Sequence, residues 1–388
     1  MTPPPPPQSI QFISDCFVKP PTLSPHQNRP VHLPPFDLAM LSDVLNPVSG
    51  NPTIPSLSFH YIQKGLLFPL PPHCLHPGFD RPSFIHSFLE KLKRSLSSTL
   101  THFYPLATLK QADPPFHIVF VDCASSLGAQ FIHAALNLNM ANILSPMYVP
   151  AIIQSFFDRN RAIDHDGHIL SLLSVQVIEL SDGIFIGLSM NHAISNGTSF
   201  WLFFNSWSEI FQLSRPSVLT RRFLENHPGP VSLPYTDDTS SFLTCYEAAE
   251  LRERVFHFST DAISLIAIVW WYITRARCFP PSQVTSSRMA ADNRARLHPP
   301  LPLEYFGNSV TPLRVAVTVG ELLGKGFNMH GNEFELGKAV ALQSEYTHKF
   351  NGKVSAYPGR EGGGSIDVEI CLPLTTMALS KMTLNSLT

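Results

Sequence analysis

Residues 10–18 alternate apolar and polar side chains, the two-residue period of a strand. The period changes from Ser83. Phe84, Ile85, Phe88, Leu89, Leu92, Leu96 and Leu100 then recur at helical spacing, which predicts an amphipathic helix with one buried stripe. Residues 117–121 and 173–178 predict strands, and 184–190 predicts a further, almost wholly apolar strand. A loop over 191–197 follows. From about Thr198 the helical period returns, with Phe200, Phe203, Phe204, Trp207, Ile210 and Phe211 on one broad face. Weaker signals predict structured pieces at 39–41 and 61–68 and a helix over 151–157 entered at Pro150. A helix is also expected over 263–275, with Trp270 and Trp271 as core packing, and strands at 315–319, 339–342, 353–357 and 365–372. Strands and helices are intermixed along the chain, the pattern of an α/β protein.

Between these elements lie stretches without periodicity. Residues 1–9 form a Pro-rich tail, 20–35 a Pro-rich connector, and 43–59 a loop or insertion rich in Pro, Ser, Asn and Gly. Residues 215–240 carry Pro216, Pro228, Pro230 and Pro234 and mark the best domain boundary. The expected organisation is therefore an N-terminal domain over 10–214, a linker over 215–240 and a C-terminal domain over 241–388. A chain of 388 residues fits two such domains.

Composition narrows the function. Hydrophobic residues make up 44% and charged residues 14%, which excludes a disordered chain and supports a large buried core. Basic and acidic side chains nearly balance, at 27 against 29, so no surplus exists to neutralise a nucleic-acid backbone. Cys16, Cys74, Cys123, Cys245, Cys278 and Cys371 are widely spaced. They form no CxxC motif and are expected to be reduced thiols. The longest apolar run, 263–273, is about half of the ~20 residues that a membrane helix needs. The opening MTPPPPP has neither the basic nor the apolar region of a signal peptide, so a cytoplasmic location is expected.

Candidate chemistry centres on His192, at the carboxyl end of a predicted strand and just before a helix. Such loops are where α/β proteins place their sites. An imidazole titrates near ~6.5 and can take and return a proton at neutral pH. Two other signals point to ordinary structure. Residues 359–364 are Gly-rich but lack a following GK[ST], which favours a hairpin turn over a phosphate cradle. His165 and His168 stand three apart without further nearby ligands, so a polar turn is expected there and no metal.

The segment Asn191-His192-Ala193-Ile194-Ser195-Asn196-Gly197 resembles the HxxxDG motif of the plant BAHD acyltransferases. His102-Phe103-Tyr104-Pro105-Leu106-Ala107, Asn293-Arg294-Ala295-Arg296, Tyr305-Phe306-Gly307-Asn308 and Gly320-Glu321-Leu322 are similar to further family segments, in the family's order. The run from Tyr357 to Gly364 resembles a hairpin of one sub-branch, the uncharacterized acetyltransferases. The resemblance implies a two-domain α/β fold of the chloramphenicol acetyltransferase type, with acyl-CoA as co-substrate and no tightly bound cofactor. It implies a small-molecule alcohol or amine as acceptor and a monomer. His192 would be the general base, supported by Asn196, Gly197 and Arg294. The thiolate is a good leaving group, so no covalent enzyme intermediate is needed.

Departures from the family set a rival reading. Asn196 stands where the family has an Asp that pairs with the Arg matched by Arg294. A buried guanidinium stripped of its carboxylate costs ~3–5 kcal/mol. The family's DFGWG element is reduced to Glu333-Phe334-Glu335-Leu336-Gly337, and the helical sections that relatives carry after Phe258 and after Leu322 are short or missing. The C-terminal domain is therefore expected to be shortened. The rival is a catalytically impaired or inactive homologue, either a binder of acyl-CoA or a metabolite or a mis-spliced product.

Overall fold

The computed structural model describes residues 9–25, 27–34, 37–38, 40, 59–106, 108–111, 118–213, 251–258, 289–302, 304–313, 341–344, 353–358 and 366–377. The expected helix over 263–275, the strand at 315–319, the linker, the Gly-rich 359–364 run and the reduced DFGWG element lie outside them, as does the 43–59 stretch apart from Phe59.

The strands, in chain order, are β1 (Gln11–Val18), β2 (Val31–His32), β3 (Ile62–Pro69), β4 (Thr108–Gln111), β5 (Val119–Asp122), β6 (Ala129–Ala135), β7 (Leu173–Glu179), β8 (Gly183–Met190), β9 (Arg252–Phe258), β10 (Met289–Asp292), β11 (Val310–Leu313), β12 (Ala341–Ser344), β13 (Lys353–Pro358) and β14 (Ile366–Leu372). Three α-helices among the described residues are α1 (Arg81–His102), α2 (Met140–Leu144) and α3 (Gly197–Leu213), and shorter helical pieces lie at 37–38, 40 and 374–377. Six strands form the main sheet in the order β1-β6-β7-β8-β3-β12. Its ladders are antiparallel except between β6 and β7. Three smaller sheets are β2-β5-β4, β10-β11 and β13-β14-β9.

β8 runs through the middle of the main sheet and every one of its residues is buried. Successive side chains point to opposite faces. Ile184, Ile186, Leu188 and Met190 join the large core beneath α1 and α3. Phe185 points the other way, into a second core with Phe156 and Phe157, its ring 4.9 Å from that of Phe156. Two glycines make room for it. A Cβ at Gly65 would meet Phe185 Cζ at 2.2 Å, and one at Gly187 would meet Phe185 Cε1 at 2.8 Å.

α1 is capped by Asp80, whose side chain accepts from the Ser83 N–H at 3.2 Å. It packs against α3 on one face of the sheet. Trp207 Nε1 donates to Ser95 Oγ at 2.9 Å, and the Phe88 and Phe211 rings meet edge to face at 5.8 Å. The buried indole thus keeps its one donor satisfied. No helix among the described residues is long and apolar enough to cross a membrane.

Most expected elements are present within a residue or two, and the differences have local causes. The stretch expected as an α-helix after Pro150 is a 3-10 helix, Ala151–Phe156, which buries Ile153 and Phe156 three residues apart, the 3-10 period. The polar turn around His165 is another 3-10 helix, Asp164–His168. β4, β6 and β9 carry weak strand signals. β6 is largely Ala, Gln and His, and β9 is charged because it lies at the edge of its sheet.

Candidate active site

The loop from β8 to α3 is as buried as a core strand. Asn191, Ala193, Ile194, Ser195 and Asn196 are each at most 3% exposed, and His192 is partly buried. Buried backbone must find partners other than water. Here polar side chains supply them. Asn191 donates its N–H to Leu172 O at 2.9 Å and its Nδ2 to Asp164 O at 2.8 Å. Its Oδ1 accepts from the Ala193 N–H at 3.0 Å. The His192 N–H donates to Asp164 Oδ1 at 2.6 Å, and the His192 carbonyl accepts from Asn308 Nδ2 at 2.7 Å. The imidazole lies against the Phe59 ring, with centroids 5.7 Å apart and planes tilted by 45°.

Asn196 opens α3. Its Oδ1 accepts from the Ser199 N–H at 3.0 Å, and its carbonyl accepts the first helical bond from Phe200 at 2.8 Å. Asn is among the preferred residues at this capping position. The same Oδ1 accepts from an Arg294 terminal nitrogen at 3.2 Å, so Asn196 and Arg294 meet as expected. That Arg294 nitrogen also donates to Gly307 O at 2.8 Å and to Ser199 Oγ at 3.0 Å.

One expectation needs correction. Arg294 has not lost its carboxylate, because Asp292 supplies one. Asp292 Oδ2 accepts from the other terminal nitrogen of Arg294 at 2.9 Å and from Thr198 Oγ1 at 3.0 Å, while its Oδ1 accepts the Arg294 N–H at 2.9 Å. The cost expected for an orphaned guanidinium is therefore largely offset. Gly197 stands exposed at the first position of α3, where a Cβ would have nothing within 4 Å.

Three further site residues carry no sequence signal that singles them out. Asp164 reads only as part of a polar turn. Burial pushes its carboxyl well above the usual carboxylate range and nearby Asp166 adds to this, while N–H bonds from His192 and Ala193 pull it back. Asn308 merely ends the Tyr305–Asn308 resemblance. Its own N–H donates to Asp37 Oδ1 at 2.6 Å. Burial pushes the Asp37 carboxyl up to about 7, against the pull of the Asn308 bonds and the Arg294 charge. The site thus joins Asp37, Phe59, Asp164, the 191–199 segment, Asp292 to Arg294 and Gly307 to Asn308 around one partly accessible imidazole. Among the described residues no cluster of three or more His, Cys, Asp or Glu could hold a metal ion.

A family model described as Transferase family matches residues 57–236 and 238–329. An uncharacterized acetyltransferase from Arabidopsis thaliana is 30% identical over 82% of this chain and 73% of its own length. The BAHD acyltransferase DCR of the same plant is 27% identical over 95% of this chain and 90% of its own. Among solved structures, vinorine synthase matches with a TM-score of 0.70 at 19% identity, covering 98% of both chains. TRI101 of F. graminearum, complexed with coenzyme A and T-2 mycotoxin, matches with a TM-score of 0.65 at 12% identity, covering 92% of this chain and 98% of its own. These structural likenesses carry the fold, a two-domain α/β acyltransferase architecture. By sequence, the chain belongs to the transferase family as a BAHD acyltransferase.

Proposed function

We propose that this enzyme moves an acyl group from an acyl-CoA to a hydroxyl or amine of a plant small molecule, with His192 as general base. The observation that carries this reading is the placement of His192. Its main chain is bonded at both N–H and C=O while its side chain stays partly accessible. Two likenesses support the donor class: TRI101 is complexed with coenzyme A, and a relative from Avena sativa is a hydroxycinnamoyl-CoA:5-hydroxyanthranilate N-hydroxycinnamoyltransferase.

In the proposed reaction an imidazole nitrogen of His192 takes the acceptor's O–H or N–H proton as that oxygen or nitrogen attacks the thioester carbonyl. The tetrahedral adduct collapses by breaking its C–S bond. The coenzyme A thiolate leaves with the electron pair and takes the proton from the imidazolium, which restores the base. Holding both substrates at one imidazole makes a bimolecular step effectively unimolecular. Asn196 and Arg294 would act at a distance, by fixing the start of α3 and hence the loop before it.

The second reading, binding without turnover, has one observation in its favour. Among the described residues, Asn196 Nδ2 and Arg294 Nε are buried donors without a hydrogen-bond partner. A carboxylate at position 196 would accept where the amide nitrogen cannot. Coenzyme A thiol release, followed with a panel of acyl-CoAs and of alcohol and amine acceptors, separates the two readings. Release that depends on the acceptor, with the acylated product seen by mass spectrometry, supports transfer. Coenzyme A binding without release supports the rival.

A further inference from the structure

Asp164 is bonded to the main chain of both ring-bearing residues of the site. Its Oδ1 accepts the His192 N–H at 2.6 Å, and its own N–H donates to the Phe59 carbonyl at 2.7 Å. Phe59 is the residue whose ring lies against the imidazole. A third bond, from Asn191 Nδ2 to the Asp164 carbonyl at 2.8 Å, ties the same residue to the position before His192. On the other side, Asn308 Nδ2 holds the His192 carbonyl at 2.7 Å and is itself pinned through its N–H to Asp37.

Asp164 and Asn308 are 0% and 1% exposed. Water cannot readily replace a bond lost there. Peptide planes are rigid, so fixing both the N–H and the C=O of one residue fixes the planes that flank its Cα. The direction of the His192 Cα–Cβ bond follows, and the imidazole keeps only its side-chain torsions.

We propose that Asp164 and Asn308 are positioning residues of the transfer reaction, which clamp the main chain of His192 from both sides, and that Asp164 acts as a hydrogen-bond acceptor and not as a charge. The proposal rests on the reading of His192 as the base. Among the described residues Asp164 forms no ion pair and its Oδ2 has no hydrogen-bond partner, so no cation holds it in the charged form. Burial, which holds its carboxyl well above the usual range, acts in the same direction. Asn at this position offers the same Oδ1 acceptor.

The test uses the full chain with an acyl-CoA and an acceptor that turn over. Asp164→Ala and Asn308→Ala should each lower kcat by up to ~10²-fold, the cost of a small misplacement of reacting groups. KM for the acyl-CoA should stay put, and Asp164→Asn should keep wild-type kcat. In a His192→Ala background, Asn308→Ala should change nothing further, because the clamp acts only through His192. Hydrogen exchange supplies a readout that needs no turnover. The His192 amide should exchange faster in Asp164→Ala, with protection in β8 and α3 unchanged. Should Asp164→Ala fail to fold, Asn308→Ala and Asp164→Asn still decide the matter. Wild-type kcat in Asn308→Ala, an equal loss in the His192→Ala background, or a collapse of kcat in Asp164→Asn would each overturn the clamp as stated. Undiminished turnover in His192→Ala would overturn the base reading itself, which marks the two failures apart.

Discussion

The loop that carries His192 and the edge strand β1 invert the usual relation between structure and burial. The loop is irregular yet largely buried around a partly accessible His192, whereas β1 is an extended strand exposed along seven of its eight positions. Phe12, Ile13 and Phe17 stand 63%, 51% and 47% exposed on it. β1 satisfies one side of its backbone through the ladder to β6, whatever its side chains are. The buried loop has no ladder and depends on named side chains: Asp164, Asn191, Asn196 and Asn308. Substitutions should therefore be costly around the loop and mild on β1.

The largest loss of stability is expected from Arg294→Met. It withdraws donors from Asn196, Ser199, Gly307 and Asp292 together. A cost of about 3 kcal/mol is expected, the low end for breaking a buried pair because Asp292 stays partly solvated. Denaturant unfolding measures it, and a cost below that of an ordinary surface change would contradict the role given to this cluster.

Asp292→Asn should cost less, ~1 kcal/mol, since its partner is buried but its own side chain is 39% exposed. The informative variant is its combination with Asn196→Asp. A carboxylate at 196 should stabilise the loop by ~1 kcal/mol, as a charge-assisted bond in place of a neutral one. It should also make Asp292→Asn nearly harmless. Additive effects in that double-mutant cycle would mean that Asp292 does not stand in for the missing charge.

Asp37 gives a pH-dependent difference. Its carboxyl is held at about 7 by burial in the folded chain, against ~4 unfolded, so ionisation is resisted only in the fold. Its contribution to stability is full below about pH 4 and falls as pH rises to about 7, where the folded group ionises too. Asp37→Asn keeps the acceptor for the Asn308 N–H and removes the titration. Its melting temperature relative to wild type should climb between those limits and level off above them. A constant difference across that range would contradict the assignment. At the small end, Phe12→Ser on β1 should change stability by no more than ~0.5 kcal/mol, as at other exposed positions away from special features.

The same contrast explains what is legible in the sequence. α3 is plain in it because it buries one periodic set, Phe200 to Phe211, and β8 because it is almost wholly apolar, with both of its faces buried. β6 escapes because Ala and His dilute the alternation, and β9 because an edge strand can carry Arg and Glu. His192 is legible from its place between a strand and a helix. Its holders are not, since the bonds to Asp164 and Asn308 span 28 and 116 positions that no period records. Asp292 escapes more narrowly. The Asn293–Arg296 resemblance begins just past it, and the Asn at position 196 points to a missing charge that is supplied from the other side of Arg294.

The central claim, that a clamped imidazole at position 192 removes the acceptor's proton, is tested most directly by coenzyme A release from wild type and His192→Ala. Both proteins should first show the same melting temperature. The account predicts a loss of ~10²–10⁴-fold in turnover, the range for removing a general base. Equal turnover in the two folded proteins would contradict it.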